Sequence, residues 1–178
     1  MMSLKKLYKT YLRKFKPIKY IDKCGLRHGT NLHTYGKIDW GTEPWIITIG
    51  NNVHITDGVK FITHDGGTLL FRNVVPDLEI TKPITIGNNV YFGNNVIVLP
   101  GVAIGDNVII GAGAVVSKSI PSNSVAVGVP AKVIKCIDDY FDKIKKESLH
   151  LGHLKGRKKD IELMKYYNYL GNKKGIYF

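Results

Sequence analysis

Residues 84–121, ITIGNNVYFGNNVIVLPGVAIGDNVIIGAGAVVSKSIP, carry an aliphatic or aromatic side chain at every sixth position. This first ladder consists of Ile86, Phe92, Val98, Ile104, Ile110 and Val116, and a second stands two residues before it, at Ile84, Val90, Val96, Val102, Val108 and Ala114. A period of six matches neither the 3.6-residue turn of an α-helix nor the alternation of a long flat strand. It is typical of a solenoid of short stacked strands.

The same period predicts the shape of one coil. Three six-residue units, about 18 residues, would make a triangular turn with both ladders pointing inward. The corners would fall on the tripeptides at 50–52, 87–89, 93–95 and 105–107, which are Gly-Asn-Asn or Gly-Asp-Asn. Glycine and asparagine tolerate the positive φ that tight corners need. A glycine-rich β-sandwich is the alternative, but its strands do not keep a six-residue register.

Short sequence motifs narrow the prediction from a solenoid in general to a particular family. They are KPITIG at 82–87, VYFG at 90–93, PGV at 100–102, IGAG at 110–113 and GVPAKVI at 128–134, with Ile49-Gly50 and Thr63-His64 further upstream. With these motifs the chain resembles the hexapeptide-repeat acyltransferases, especially sugar O-acetyltransferases of the galactoside, maltose and exopolysaccharide type. The resemblance implies an all-β solenoid, a left-handed parallel β-helix. The left-handedness comes from the resemblance alone, because parallel crossovers are ordinarily right-handed and the six-residue spacing does not predict the opposite handedness.

The N-terminal segment, residues 1–20, is expected to hold a basic amphipathic helix. Over residues 3–16 one stripe at helical spacing contains Leu4, Leu7, Tyr8, Leu12 and Phe15, with lysine and arginine elsewhere, and Pro17 marks the end. The helix could cap the first coil, because solenoid ends need covering. It could instead contact an anionic membrane surface.

The remaining organisation follows from breaks in the ladder. The β-helix domain is expected over residues 21–135, with a small excursion at 41–45 and a projecting loop at 65–82 where the ladder is interrupted. Residues 136–178 are expected to form a helical tail with two lysine-rich helices at 138–149 and 157–170.

Composition limits the partners and the compartment. The chain has 178 residues and a net charge of +12, from 26 Lys and Arg against 14 Asp and Glu. Such a charge can attract nucleic acid, anionic lipid or phosphorylated ligands, but no nucleic-acid-reading motif accompanies it, so nucleic acid is not expected. Cys24 and Cys136 have no paired spacing, and neither a signal peptide nor a membrane span is indicated. We expect a cytoplasmic protein, with peripheral membrane contact left open.

His64 is the candidate catalytic residue, because it stands where the regular coil meets the loop and matches the family's Thr-His element. A neutral imidazole can take the proton of a sugar hydroxyl as its oxygen attacks a thioester. Its other nitrogen needs an orienting acceptor, and the sequence leaves open a carboxylate or a backbone carbonyl. Glu43 and Asp65 are the candidate acids, and both are also expected at the acceptor site.

The resemblance implies that coenzyme A lies between two subunits of a homotrimer. The positions that match its contacts are Asn94, Ala112, Ser117, Lys118, Lys132 and Lys135. Lysines suit the phosphates, and backbone groups beside small residues suit the pantetheine amides. No metal is expected, since His28, His33, His54 and His64 share no metal-ligand spacing.

The implied activity is acetyl transfer from acetyl-coenzyme A to a hydroxyl of a sugar or surface-glycan precursor. Several alternatives stay open: N-acetylation of a nucleotide-linked amino sugar, O-acetylation of an antibiotic, and a non-catalytic role as a β-helix scaffold or membrane-surface adaptor. The acceptor depends on loops whose shape the repeat does not specify.

Overall fold

A computed structural model of the chain describes residues 4–169. The chain forms two compact units that divide between Tyr140 and Phe141. Within residues 4–169, no helix combines the length and the apolar character needed to cross a membrane.

Two helices precede the first strand. Helix α1 runs from Leu4–Phe15, as predicted, and helix α2 follows at Pro17–Lys23. Helix α2 differs from the sequence prediction, in which Pro17 marks the end of the helical segment. Proline is tolerated in the first turn of a helix, where its missing N–H would have no intrahelical partner, so here it ends one helix and begins another.

In the described part of the chain thirteen short strands follow, and they pair into three sheets. In chain order they are β1 Arg27–His28, β2 Leu32–Thr34, β3 Ile47–Ile49, β4 Val53–Ile55, β5 Lys60–Phe61, β6 Ile84–Ile86, β7 Val90–Phe92, β8 Ile97–Val98, β9 Ala103–Ile104, β10 Val108–Ile110, β11 Val115–Val116, β12 Ser124–Val127 and β13 Lys132–Cys136. Sheet A contains β1, β3, β6 and β9, sheet B contains β2, β4, β7, β10, β12 and β13, and sheet C contains β5, β8 and β11. From β3 to β11 the chain visits sheets A, B and C in turn, which makes a three-sided coil.

The register confirms the predicted period. Val90 pairs with Val108 and Val98 with Val116, a step of 18 residues in each case, and both pairings are parallel. Every residue of the two ladders from 84 to 116 is at most 2% exposed. The antiparallel pairing of β13 with β12 then ends the stack in sheet B.

The corners behave as their composition predicts. Asn52, Asn89, Asn95 and Asn107 have φ between 55° and 60°. Three of them also bond between coils, because the Nδ2 of Asn52 donates to Asn89, and the Nδ2 of Asn89 donates to Asn107, at 2.9–3.0 Å. Asparagine therefore supplies both a tolerated left-handed conformation and a link to the next coil.

The two predicted interruptions are present. The first contains a short 3-10 helix at Pro44–Ile46, and the loop at 65–82 contains another at Gly66–Phe71. The loop is closed at its base, where the Asp65 N–H donates to the Ile80 carbonyl at 2.9 Å and the Lys82 N–H donates to the Thr63 carbonyl at 2.8 Å. Its exposed apolar side chains are Leu69, Leu70, Phe71, Val74, Val75 and Ile80.

Two helices follow β13, at α3 Ile137–Glu147 and α4 Gly156–Tyr166. They occupy the stretches predicted to be helical, although residue 170, the expected end of the second helix, lies outside the described residues. The domain limits expected at 20/21 and 135/136 stay a prediction.

Candidate active site

His64 lies at the foot of the loop, three residues beyond strand β5. Its backbone forms an antiparallel bridge with Thr81, and its side chain is 41% exposed. The imidazole lines an open cleft of about 460 Å³. The other residues around the cleft are Ile62, Asp65, Gly66, Ile80, Lys82, Leu99, Pro100 and Ser117.

The orienting acceptor of His64 is the Glu43 carboxylate. Oε2 of Glu43 is 3.1 Å from Nδ1 of His64, across 21 residues of sequence. The excursion that carries Glu43 begins at Gly41, whose φ is +68°, and a Cβ there would lie 2.7 Å from the Phe61 carbonyl oxygen. Only glycine permits this close approach, so the break in the ladder brings the carboxylate to the histidine.

Two threonine hydroxyls hold the carboxylate. Thr42 donates to Oε1 of Glu43 at 2.6 Å, and Thr63, which is fully buried, donates to Oε2. Burial raises the pKa of Glu43, but the hydrogen bonds from Thr42, Thr63 and His64, with the charge of His64, outweigh it and lower the pKa below its ordinary value. Glu43 is therefore ionised near neutral pH.

This network selects one tautomer of His64. An ionised carboxylate can only accept, so the hydrogen of the neutral imidazole lies on Nδ1 and the lone pair on Nε2. Thr42 Oγ1, 3.2 Å from Nδ1, also accepts on that side, because its own hydrogen goes to Glu43. Across residues 4–169 no group hydrogen-bonds to Nε2, which leaves it able to take a proton from a bound molecule.

Asp65 has a different contact. Its Oδ1 accepts from the Gly67 N–H at 2.9 Å and so caps the short helix of the loop. Its side chain lines the cleft without a hydrogen bond to the imidazole, and Glu43 takes the orienting position. A contact between Asp65 or Glu43 and the acceptor stays a prediction.

The six residues expected at coenzyme A lie in three places. Ser117 lines the cleft beside His64, and Lys118 follows it at the same corner. Asn94 and Ala112 stack at the corner between sheets B and C, where the Gly113 N–H donates to the Asn94 carbonyl at 2.8 Å. Lys132 and Lys135 lie on β13, opposite Val127 and Val125. Their joint contact with one donor molecule stays a prediction.

Sequence reasoning missed Thr42, Thr63 and Lys82. Each threonine directly precedes an acid or histidine that was singled out, and Thr63 belongs to the quoted Thr-His element. That adjacency was the available signal, but spacing alone does not show that both hydroxyls reach one carboxylate. Lys82 closes the base of the loop through its N–H and lines the same cleft as His64.

A second histidine group lies on the outer face of sheet B. His33 and His54 pair across β2 and β4, their rings stack at 4.7 Å, and the Tyr35 hydroxyl is 2.8 Å from Nδ1 of His54. Burial, and then the nearby His33, lower the pKa of His54. In the part of the chain that the structure describes, no three His, Cys, Asp or Glu side chains are grouped to hold a metal ion.

Comparison with known proteins places this site in a family. Residues 83–118 match the model for the bacterial transferase hexapeptide, six repeats. Protein CapG of Staphylococcus aureus is 41% identical over 163 residues, which cover 90% of this chain and 95% of CapG.

Two solved structures share the fold. A maltose O-acetyltransferase from Clostridium difficile 630 is 31% identical, with a TM-score of 0.55 over 73% of this chain and 84% of that one. A galactoside acetyltransferase in complex with coenzyme A is 29% identical, with a TM-score of 0.52 over 77% of this chain and 80% of that one. With the repeat match and an alignment spanning nearly all of CapG, the chain belongs to the hexapeptide-repeat acyltransferases, in the group that contains the sugar O-acetyltransferases.

Proposed function

We propose that this enzyme transfers acetyl from acetyl-coenzyme A to a hydroxyl of a sugar or surface-glycan precursor, with His64 as the general base. The observation that carries the proposal is the Glu43–His64 pair, which leaves Nε2 without a partner among the described residues, at an open cleft. The names of the related structures, galactoside and maltose acetyltransferases, support a sugar acceptor, and the coenzyme A complex supports the donor.

The reaction needs one base and no covalent enzyme intermediate. Nε2 of His64 takes the proton of the acceptor hydroxyl while the oxygen attacks the thioester carbonyl carbon. The C–S bond then breaks, and the imidazolium returns its proton to the leaving sulfur, giving free coenzyme A and an acetyl ester. Glu43 stabilises the imidazolium that forms between these steps, since its carboxylate lies 3.1 Å from Nδ1.

The donor would pass along sheet C. Ser117 borders the cleft, so a thioester beside His64 would also lie beside Ser117. Asn94 and Ala112 mark the corner on the other side of sheet C. We assign Lys118, Lys132 and Lys135 to the phosphates, whose charge they complement.

We further infer a left-handed coil and a homotrimer with sites between subunits. Both follow from membership of the family. The loop at 65–82 supports the association, because Leu70 and Val74 are 78% and 74% exposed. Apolar side chains grouped in one projecting loop are typical of a surface that another subunit covers.

The test is thiol release from acetyl-coenzyme A across sugars, oligosaccharides, nucleotide-linked amino sugars and an antibiotic alcohol. The proposal predicts turnover with at least one sugar or glycan hydroxyl, and base-labile acetate in the product. Acetylation of amino sugars alone, giving a base-stable amide, would contradict O-transfer. If acetyl-coenzyme A does not raise the melting temperature, the chain does not bind this donor and the proposal fails.

A further inference from the structure

Helix α1 presents apolar side chains to solvent. Leu7, Tyr8, Tyr11 and Phe15 are 51%, 53%, 47% and 61% exposed, whereas Leu12 on the same helix is 4% exposed. The rings of Tyr11 and Phe15 are in contact, with centroids 5.3 Å apart. Among the α1 side chains that the structure describes, Leu12 is therefore the buried apolar anchor, and the four exposed residues form an aromatic and aliphatic strip.

The strip belongs to a strongly basic segment of the chain. Residues 4–23 contain eight Lys and Arg and one Asp, whereas residues 84–121 contain one Lys and one Asp. Arg13, Lys16, Lys19 and Lys23 are all exposed, and Nζ of Lys23 lies 4.9 Å from the centre of the Tyr8 ring. An exposed apolar strip beside a dense group of cations is complementary to a surface that is both apolar and anionic.

We propose that the α1 strip, meaning Leu7, Tyr8, Tyr11 and Phe15, docks on an anionic lipid membrane and holds the enzyme at its surface. The apolar side chains enter the boundary between headgroups and acyl chains, while the surrounding cations contact the headgroups. Because α1 spans 12 residues, it lies along the surface instead of crossing it.

The charge argues for lipid over a second copy of the chain. A second copy that docked through its own α1 would set one dense group of cations against another, and the two groups would repel each other. A membrane rich in anionic lipid attracts them, and the attraction weakens as salt screens it. The site chemistry at His64 does not enter this argument, so the inference stands apart from the proposed function.

The test is co-sedimentation of the full-length protein with vesicles of phosphatidylcholine alone or mixed equally with phosphatidylglycerol. We expect binding to the mixed vesicles and little to phosphatidylcholine alone. Raising the salt from about 50 mM to about 500 mM should weaken binding about tenfold or more, because the Debye length shortens. The paired variant Lys16→Gln with Lys19→Gln should weaken low-salt binding about tenfold.

The apolar contribution is tested with Tyr11→Ser combined with Phe15→Ser. Both side chains are exposed, so we expect the melting temperature to be retained and vesicle binding to fall about tenfold. The matched control is Tyr166→Ser combined with Tyr167→Ser, which removes another exposed aromatic pair, with centroids 5.0 Å apart, at the end of basic helix α4. The control should bind vesicles like the wild type.

Three results would overturn the inference. One is wild-type vesicle binding that does not depend on phosphatidylglycerol. Another is an equal loss of vesicle binding in the α1 and α4 variants. The third is a change of sedimentation mass in the α1 variant with vesicle binding intact, since that would show a second copy covering the strip.

Discussion

Among residues 4–169, two histidine–carboxylate pairs have nearly equal separations, and they differ in what surrounds the histidine. Nε2 of His28 is 3.0 Å from Asp22, and Nδ1 of His64 is 3.1 Å from Glu43. The other nitrogen of His28 lies 2.7 Å from the Gly29 carbonyl oxygen, so both of its nitrogens face oxygen atoms. His64 keeps Nε2 without a partner among the described residues.

The carboxylates differ as well. The Asp22 side chain is 53% exposed, while that of Glu43 is 24% exposed and accepts from Thr42 and Thr63. The Glu43 carboxylate is therefore held by more protein groups than the Asp22 carboxylate. A short distance therefore does not by itself support a catalytic role; the proposal for His64 rests on the distance together with an available nitrogen, a fixed carboxylate and an adjoining cleft.

Substitutions that distinguish the two histidine–carboxylate pairs should have their largest effect on turnover. His64→Ala should lower kcat about 10³-fold, because the variant lacks the proposed general base. His28→Ala should change kcat less than about twofold, since no reacting atom depends on it. Thiol release with a sugar acceptor measures both, and calorimetric binding of coenzyme A controls for the donor site. Equal kcat values in the two variants would contradict the assignment.

Replacing each carboxylate by its amide should give the next largest difference in kcat between the two pairs. Glu43→Gln should lower kcat about 10²-fold, because the imidazolium loses its negative partner in the transition state. Asp22→Asn should leave kcat unchanged. The readout is kcat with KM measured separately. A Glu43→Gln variant that raises only KM would place Glu43 at the acceptor instead.

Thr63 offers a smaller and more specific test. Thr63→Val removes a hydrogen bond worth about 1 kcal/mol and should lower kcat about fivefold at neutral pH. Losing the Thr63 hydroxyl should also raise the pKa of Glu43, because burial raises this pKa and the hydrogen bond from Thr63 helps to lower it. Activity should then fall at a higher pH on the acid side of the rate profile. Thr63→Ser, which keeps the hydroxyl, should restore the profile, whereas a shared defect would indicate packing alone.

The smallest effect should appear in stability. Asp22→Asn should lower the free energy of unfolding by less than about 1 kcal/mol, because exposed ion pairs contribute little. Thr63→Val should cost more than Asp22→Asn, since it alters a buried contact. Urea unfolding measures both. A larger loss in Asp22→Asn would mean that the first pair is the structural one.

Much of the fold could be predicted because its cause is local and repeated. Val90, Val108 and their counterparts recur at fixed spacing, so burial and register follow from counting. Asn89 and Asn107 likewise mark their own corners. Helix α2 could not be obtained this way, because Pro17 is compatible with both the end and the start of a helix.

The site was predictable in part. His64 stands at a visible break in the ladder, but the partner of its Nδ1 is 21 residues away across an irregular excursion. The path of that excursion depends on the contact of Gly41 with Phe61, which no periodicity encodes. The stacking of His33 on His54 is hidden for a similar reason, since it depends on which strands become neighbours.

The proposal that Glu43 prepares His64 to accept a proton is tested most directly by the tautomer of His64. Nitrogen NMR of the ¹⁵N-histidine-labelled protein at about pH 8, above the usual titration range of imidazole, reports which ring nitrogen carries the hydrogen. We expect His64 to carry its hydrogen on Nδ1 and to have an unprotonated Nε2, and we expect Glu43→Gln to weaken this preference. A dominant Nε2–H form in the wild type would contradict it, because that nitrogen could not then accept the proton of the acceptor.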